Sequence, residues 1–260
     1  MKKYLRALKG YPARILQIYE KDWKKLLYLS IFNFAMMFGN TIGLSIATSL
    51  LLKKVGISSL PSMYIVNSIS IIGISLLYFP FITKFKQTSI LKNTFFAFSI
   101  IIIVARIGIF FHFNWIYLLL YLAATLFGWV YYTQFWTLAT DICNIREGKR
   151  VFSLVVSAGL LGGGVGGFIT KATVGTIHTS NLLFIWSFSF FAIAIGIGYF
   201  EKLVLTLPEK KESGTLKKES WRENFKKILT LFQKIPLLRT IGMTFFVYAV
   251  AVYLLDFQFN

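Results

Sequence analysis

The chain has 260 residues, of which 56% are hydrophobic and only 15% charged, with a net charge of +18 and a mean hydropathy of +0.67. A soluble domain is typically about 45–50% apolar and about 25% charged, so this composition excludes an ordinary soluble fold and predicts an all-α integral membrane protein. Cys143 is the only cysteine, which excludes an internal disulfide and a cysteine-based metal site.

Taken in chain order, residues 1–25 mix eight basic residues with Leu, Ile, Tyr and Trp, and Pro12 opens a short helix. This reads as an interfacial segment lying on the cytoplasmic face. Six apolar runs follow at 26–52, 57–83, 93–111, 116–139, 151–174 and 182–203. Each is long enough to cross a hydrocarbon core of about 30 Å at about 1.5 Å per residue. The domain plan is thus a bundle over 26–204, a basic cytoplasmic linker with an amphipathic helix over 205–239, and a seventh span over 240–260. The 27 phenylalanines suit a lipid-facing surface.

Charge placement explains the basic balance. With the N-terminus inside, 24 of the 28 basic residues fall on one side of the membrane. That is the positive-inside bias, so contact with anionic lipid is expected and nucleic acid is not. His112 and His178 have no acid beside them at ligand spacing, so no metal or other cofactor is expected. No Ser/His/Asp set or paired carboxylates converge, so an enzyme is not expected either.

The stretch 141–167, DICNIREGKRVFSLVVSAGLLGGGVGG, reads as a charged cytoplasmic loop entering a glycine-rich helix. Gly159, Gly163 and Gly167 fall at i, i+4 and i+8, with Gly162 and Gly166 on an adjacent strip. Small residues at this spacing let membrane helices approach closely. A phosphate loop is excluded, because no G-K-[ST] follows.

Three stretches resemble the nucleotide (ATP/ADP) translocase family and its major-facilitator-like bacterial relatives: FWTLATDICNIREGKRVF at 135–152, SAGLLGGGVGG at 157–167, and LLDFQF at 254–259. Six helices, a long basic linker and a seventh helix resemble half of a major-facilitator-type transporter plus the start of its second half. The resemblance implies a fragment of a twelve-helix chain whose missing C-terminal bundle is its partner. It also implies alternating access, an anionic small-molecule substrate and a cavity lined by helices one, four, seven and ten. Two features depart from the pattern. The loop at 83–92 lacks the G-x-x-x-D-R-x-G-R signature, and Arg106 is the only charge embedded away from the ends of the first six helices. The three-plus-three internal repeat of that fold is not visible as sequence similarity.

Polar residues inside spans are costly and mark cavities or helix partners. The substrate-binding candidates are Asn33 and Asn40 in helix one, Arg106 in helix three, Tyr131 and Gln134 in helix four, and Asp256 in helix seven. Arg106 would either bind an anion bidentately or snorkel to the outer interface. Asp141, Arg146, Lys149 and Arg150 are candidates for a cytoplasmic gate, set against plain positive-inside anchoring. The competing reading for the whole chain is a membrane scaffold or sensor that keeps the fold without transport.

Overall fold

The computed structural model describes residues 22–82, 86–111, 113, 115–174 and 178–204, the side chains of 76–85 and 200–204 excepted, and scattered positions between 230 and 251. The N-terminal interfacial segment up to residue 21, His112, most of the linker, and Asp256 in the expected seventh helix lie outside the described residues. The bundle belongs to a unit ending at Glu209, and residues 210–260 form a second unit.

Six helices long and apolar enough to cross a membrane make up the described bundle, which is that of a multi-pass membrane protein. They are α1 (Trp23–Lys54), α2 (Leu60–Ile82), α3 (Gln87–Phe110), α4 (Trp115–Ile142), α5 (Ile145–Val174) and α6 (Leu182–Val204). The expected charged loop at 141–150 is mostly helix. α4 runs to Ile142 and α5 restarts at Ile145, leaving only Cys143 and Asn144 between them. Glu147 Oε2 accepts the Asn144 backbone N–H at 3.1 Å, which caps α5 at its first turn.

α1 packs most extensively on α5, and α3 on α6. α1 also meets α4 and α6, α3 meets α4, and α2 meets α4 by a thin seam. This set of pairs maps onto itself when α1 exchanges with α4, α2 with α5, and α3 with α6. The two halves are related by a shift of 88 residues. Every buried residue of α4, from Ile116 to Ala139, lies 88 positions after a buried residue of α1. Leu60, Met63 and Asn67 of α2 map in the same way onto buried Gly148, Val151 and Val155 of α5. Phe95, Phe98, Ser99, Ile102 and Ile109 of α3 map onto buried positions of α6.

Contacts on the axis of this repeat join a residue to its own equivalent. Ser99 Oγ donates to the Ser187 carbonyl at 2.8 Å, and Ser187 Oγ donates to the Ser99 carbonyl at 2.9 Å. The Phe98 and Trp186 rings meet edge-on at 5.6 Å. Each half has three spans, an odd number, so consecutive crossing of a bilayer makes the two halves inverted relative to each other.

Many of the phenylalanines face inward rather than toward lipid. Phe95 is fully buried, with the rings of Phe32, Phe127, Tyr131 and Phe190 all within 6.0 Å of its own. Phe98 and Phe127 stack with centroids 3.7 Å apart. Glycine permits this packing on α1, where a Cβ at Gly43 would collide with the Trp186 ring and one at Gly39 would lie 2.7 Å from Phe190 Cε1.

Candidate functional site

The sequence candidates divide between helix seams and the open face of the bundle. Asn33 is buried at the α1–α5 seam, where its Nδ2 donates to the Val155 carbonyl at 2.8 Å. A side chain at Gly159 would strike this amide. Gln134 is buried, and its Nε2 donates to Thr94 Oγ1 of α3 at 3.0 Å. Tyr131 is 1% exposed inside the aromatic core. Arg106 Nη2 donates to Asn181 Oδ1 at 2.8 Å, and its guanidinium lies 5.6 Å from the Phe184 ring centre. It therefore ties α3 to the turn that opens α6. Asn40 is partly exposed, at the α1–α4 crossing; a Cβ on Gly128, its equivalent 88 residues on, would lie 3.5 Å from Asn40 Oδ1.

The charged residues of the α4–α5 corner are also placed. Arg150 Nη2 donates to Asp22 Oδ2 at 3.2 Å, and Lys25 Nζ donates to Glu147 Oε2 at 2.7 Å. Two ion pairs thus cross from the first turn of α1 to the first turns of α5. Asp141, Arg146 and Lys149 are exposed at the same end. Cys143 is buried beside this cluster, and burial pushes its thiol up from 9.0 to about 11; Glu147 and Asp22 add to the shift and Lys25 opposes it. The two carboxylate partners, Asp22 and Glu147, were not among the sequence candidates. The Asn144-x-x-Glu147 spacing is a helix-capping signal that identifies one of them; the other pairs across 128 residues and leaves no local trace.

The five α5 glycines singled out from the sequence do not share one role. A Cβ at Gly162 would collide with the Phe34 carbonyl, and one at Gly166 would lie 2.7 Å from the Phe38 carbonyl. Gly159, Gly162 and Gly166 therefore form the stripe on which α1 rests. Gly163 and Gly167 flank it, with Thr41 atoms 3.3 Å and 3.9 Å from their Cβ positions. At the equivalents of Gly159 and Gly162, α2 carries Ile71 and Ile74. Bulk at those places explains why the α2–α4 seam is thin where α1–α5 is close.

Three aromatic residues not chosen from the sequence stand on the open face of α4. Trp129 is 54% exposed and Tyr132 is 37% exposed. Trp136 is partly buried, 6.0 Å from Tyr132 and 5.4 Å from Phe152, ring to ring. Their i, i+3, i+7 spacing sets them on one stripe. Trp129 is central in α4, about 20 Å from either end at about 1.5 Å per residue. Membrane tryptophans and tyrosines otherwise gather at the interfaces.

The exposed positions in the middle of α3 and α6 are different. They are Phe96, Ile100, Ile103 and Val104 in α3, and Phe188 and Ile195 in α6. None carries a polar atom, as hydrocarbon requires. On α4 the exposed hydroxyls of Thr133 and Thr140 donate to carbonyls of their own helix at 2.9 Å and 2.8 Å, so they too would tolerate lipid. The Trp129 indole and the Tyr132 phenol make no hydrogen bond among the described residues. An amide or hydroxyl without a partner costs roughly 2–7 kcal/mol in an apolar medium. The α4 stripe is thus chemically unlike the lipid-type faces of α3 and α6. No family model matches the chain, and no curated protein or solved structure matches it.

Proposed function

We propose that this chain is the N-terminal part of a secondary active transporter of the major-facilitator type, with the open α1–α4 face lining the solute path. The observation that carries this reading is the pair of polar-tipped aromatic residues at mid-span, Trp129 and Tyr132, set against the apolar exposed positions in the middle of α3 and α6. The inverted three-plus-three repeat supports it, since major-facilitator halves nest such repeats and rock one bundle against another. The positive-inside bias supports a cytoplasmic N-terminus, and a bacterial inner membrane is the proposed location. The anionic headgroups of that leaflet are the proposed lipid partners of the basic segments.

The nucleotide or organic-anion exchange implied by the resemblance requires countercharge along the path. The described part of α1 between Lys25 and Lys53, and of α4 from Trp115 to Thr140, contains no charged residue. Arg106 is engaged at the α3–α6 seam. An anion would therefore take its cations from outside the described face.

The reading is tested by uptake into proteoliposomes holding the purified full-length chain, with nucleotides, phosphates, organic anions and neutral and cationic organic solutes in turn. Saturable accumulation of any one of them supports transport, and absence of all accumulation by well-inserted protein removes it. A non-transporting scaffold is favoured by one observation: Asn33 and Gln134 are both spent on bonds between helices.

A further inference from the structure

We infer that Trp129, Tyr132 and Trp136 form a ligand subsite for a planar ring system carrying no net negative charge. The inference rests on the reading above that this face of α4 meets the solute path, and it adds the substrate's chemistry. Aromatic side chains at i, i+3 and i+7 make a continuous rail on one helix face. Trp129 and Tyr132 are exposed at the centre of the span and make no hydrogen bond among the described residues. A planar ligand can stack on these faces, and the indole N–H and phenol O–H can bond its heteroatoms.

Charge decides among planar ligands. Aromatic faces are negative, so they attract cations and accept neutral rings, whereas an anionic group gains nothing over a ring face and finds no cation beside it. No lysine or arginine lies in α4, and none lies in α1 between Lys25 and Lys53. The counterparts of the rail in the internal repeat are Thr41, Leu44 and Thr48 of α1, so the first half of the repeat offers two hydroxyls and an aliphatic side chain where the second offers rings. Asn40, partly exposed and beside Gly128, puts an amide next to the start of the rail. This combination of large π surface, a neutral amide and no cation favours neutral or cationic heteroaromatic solutes over anions.

The test uses the full-length protein in lipid nanodiscs with three probes of similar size: quinoline, N-methylquinolinium and 2-naphthoate. Saturable quenching of tryptophan fluorescence is expected with the first two, at affinities about tenfold or more above that for naphthoate. The variant W129A/W136A should weaken both by about tenfold, while W129F/W136F should hold them within a few-fold because the stacking surface remains. Preference for naphthoate, or equal affinity in W129A/W136A, would overturn the inference.

A second measurement does not depend on those variants folding. In a Cys143→Ala background, Thr133→Cys, one turn beyond Trp129, should react with a membrane-impermeant maleimide. A cysteine shielded by lipid would stay unmodified, and that result also overturns the inference. Ring binding that depends on the tryptophans, without uptake of any solute, would leave the subsite standing and remove transport. Uptake indifferent to the tryptophan variants would do the reverse.

Discussion

A methyl group at residue 162 would have to occupy the space of the Phe34 carbonyl oxygen, a backbone atom that no rotamer change can move. Gly162→Ala is therefore expected to part α1 from α5 and cost about 1–3 kcal/mol, the usual range for overpacking. Gly164 has nothing within 4 Å of its Cβ position. Gly164→Ala should be neutral or stabilise by up to about 1 kcal/mol through helix propensity. Thermal unfolding of the two variants side by side checks both, and equal melting temperatures would contradict the seam as described. Cys143 gives a second residue-scale expectation. A thiol raised from 9.0 to about 11 keeps its proton in the folded state, so its contribution to stability is complete below pH 9 and is lost as pH rises toward 11. Alkylation of the native protein should accordingly stay slow through pH 9. Fast modification at pH 8 would show the thiol to be neither buried nor raised.

At the scale of elements, the α1–α5 seam is closed at its starting end by Lys25–Glu147 and Arg150–Asp22. Both helices run in the same direction along the seam, since Asn33 meets Val155, Phe34 meets Gly162 and Phe38 meets Gly166. The two carboxylates are nearly buried, so removing one partner leaves a charge with little access to water. Lys25→Glu and Glu147→Lys should each destabilise, and the double exchange should recover about 0.5–3 kcal/mol in a double-mutant cycle. No recovery in the exchange would mean the pair is incidental to the seam. These pairs hold α5 to α1 within one bundle. The sequence made the helices legible, because runs of 20 or more apolar residues have few other readings. It misplaced the starts of α3 and α5, because a helix's first polar turn looks like loop to a hydropathy pattern. It did not single out Asp22 beside Arg150, because Asp22 lies 128 positions away and becomes a neighbour only through the fold.

The whole bundle is built on an internal repeat that leaves almost no sequence trace, and the reason is physical. Symmetry requires the same positions to be buried, not the same residues to be used. Asn33 corresponds to Tyr121, Gly39 to Phe127, and Gly43 to Tyr131, and all six are buried. Each half meets a different neighbour with the same face, so side-chain volumes diverge while the pattern of burial persists. Of the polar candidates in α1 and α4, only Asn40 borders the open face, for a related reason. In a bilayer, polar groups are drawn to one another across seams, as Asn33 and Gln134 are, and aromatics left on an open face carry no distinct sequence signal. The repeat axis supplies a last prediction. Ser99 Oγ and Ser187 Oγ lie 2.9 Å apart, close enough that cysteines placed there can form a disulfide of ordinary geometry. Ser99→Cys with Ser187→Cys, in a Cys143→Ala background, should oxidise within one chain, shown by a mobility shift on denaturing gels that reductant reverses. The α3–α6 seam lies on the side of the bundle with lipid-type faces. Locking it should therefore leave unchanged any solute uptake the protein shows, because a rocking bundle moves as one body. Failure to crosslink would contradict the α3–α6 axis itself. Crosslinking that halts uptake would place motion inside the bundle, between the two halves of the repeat.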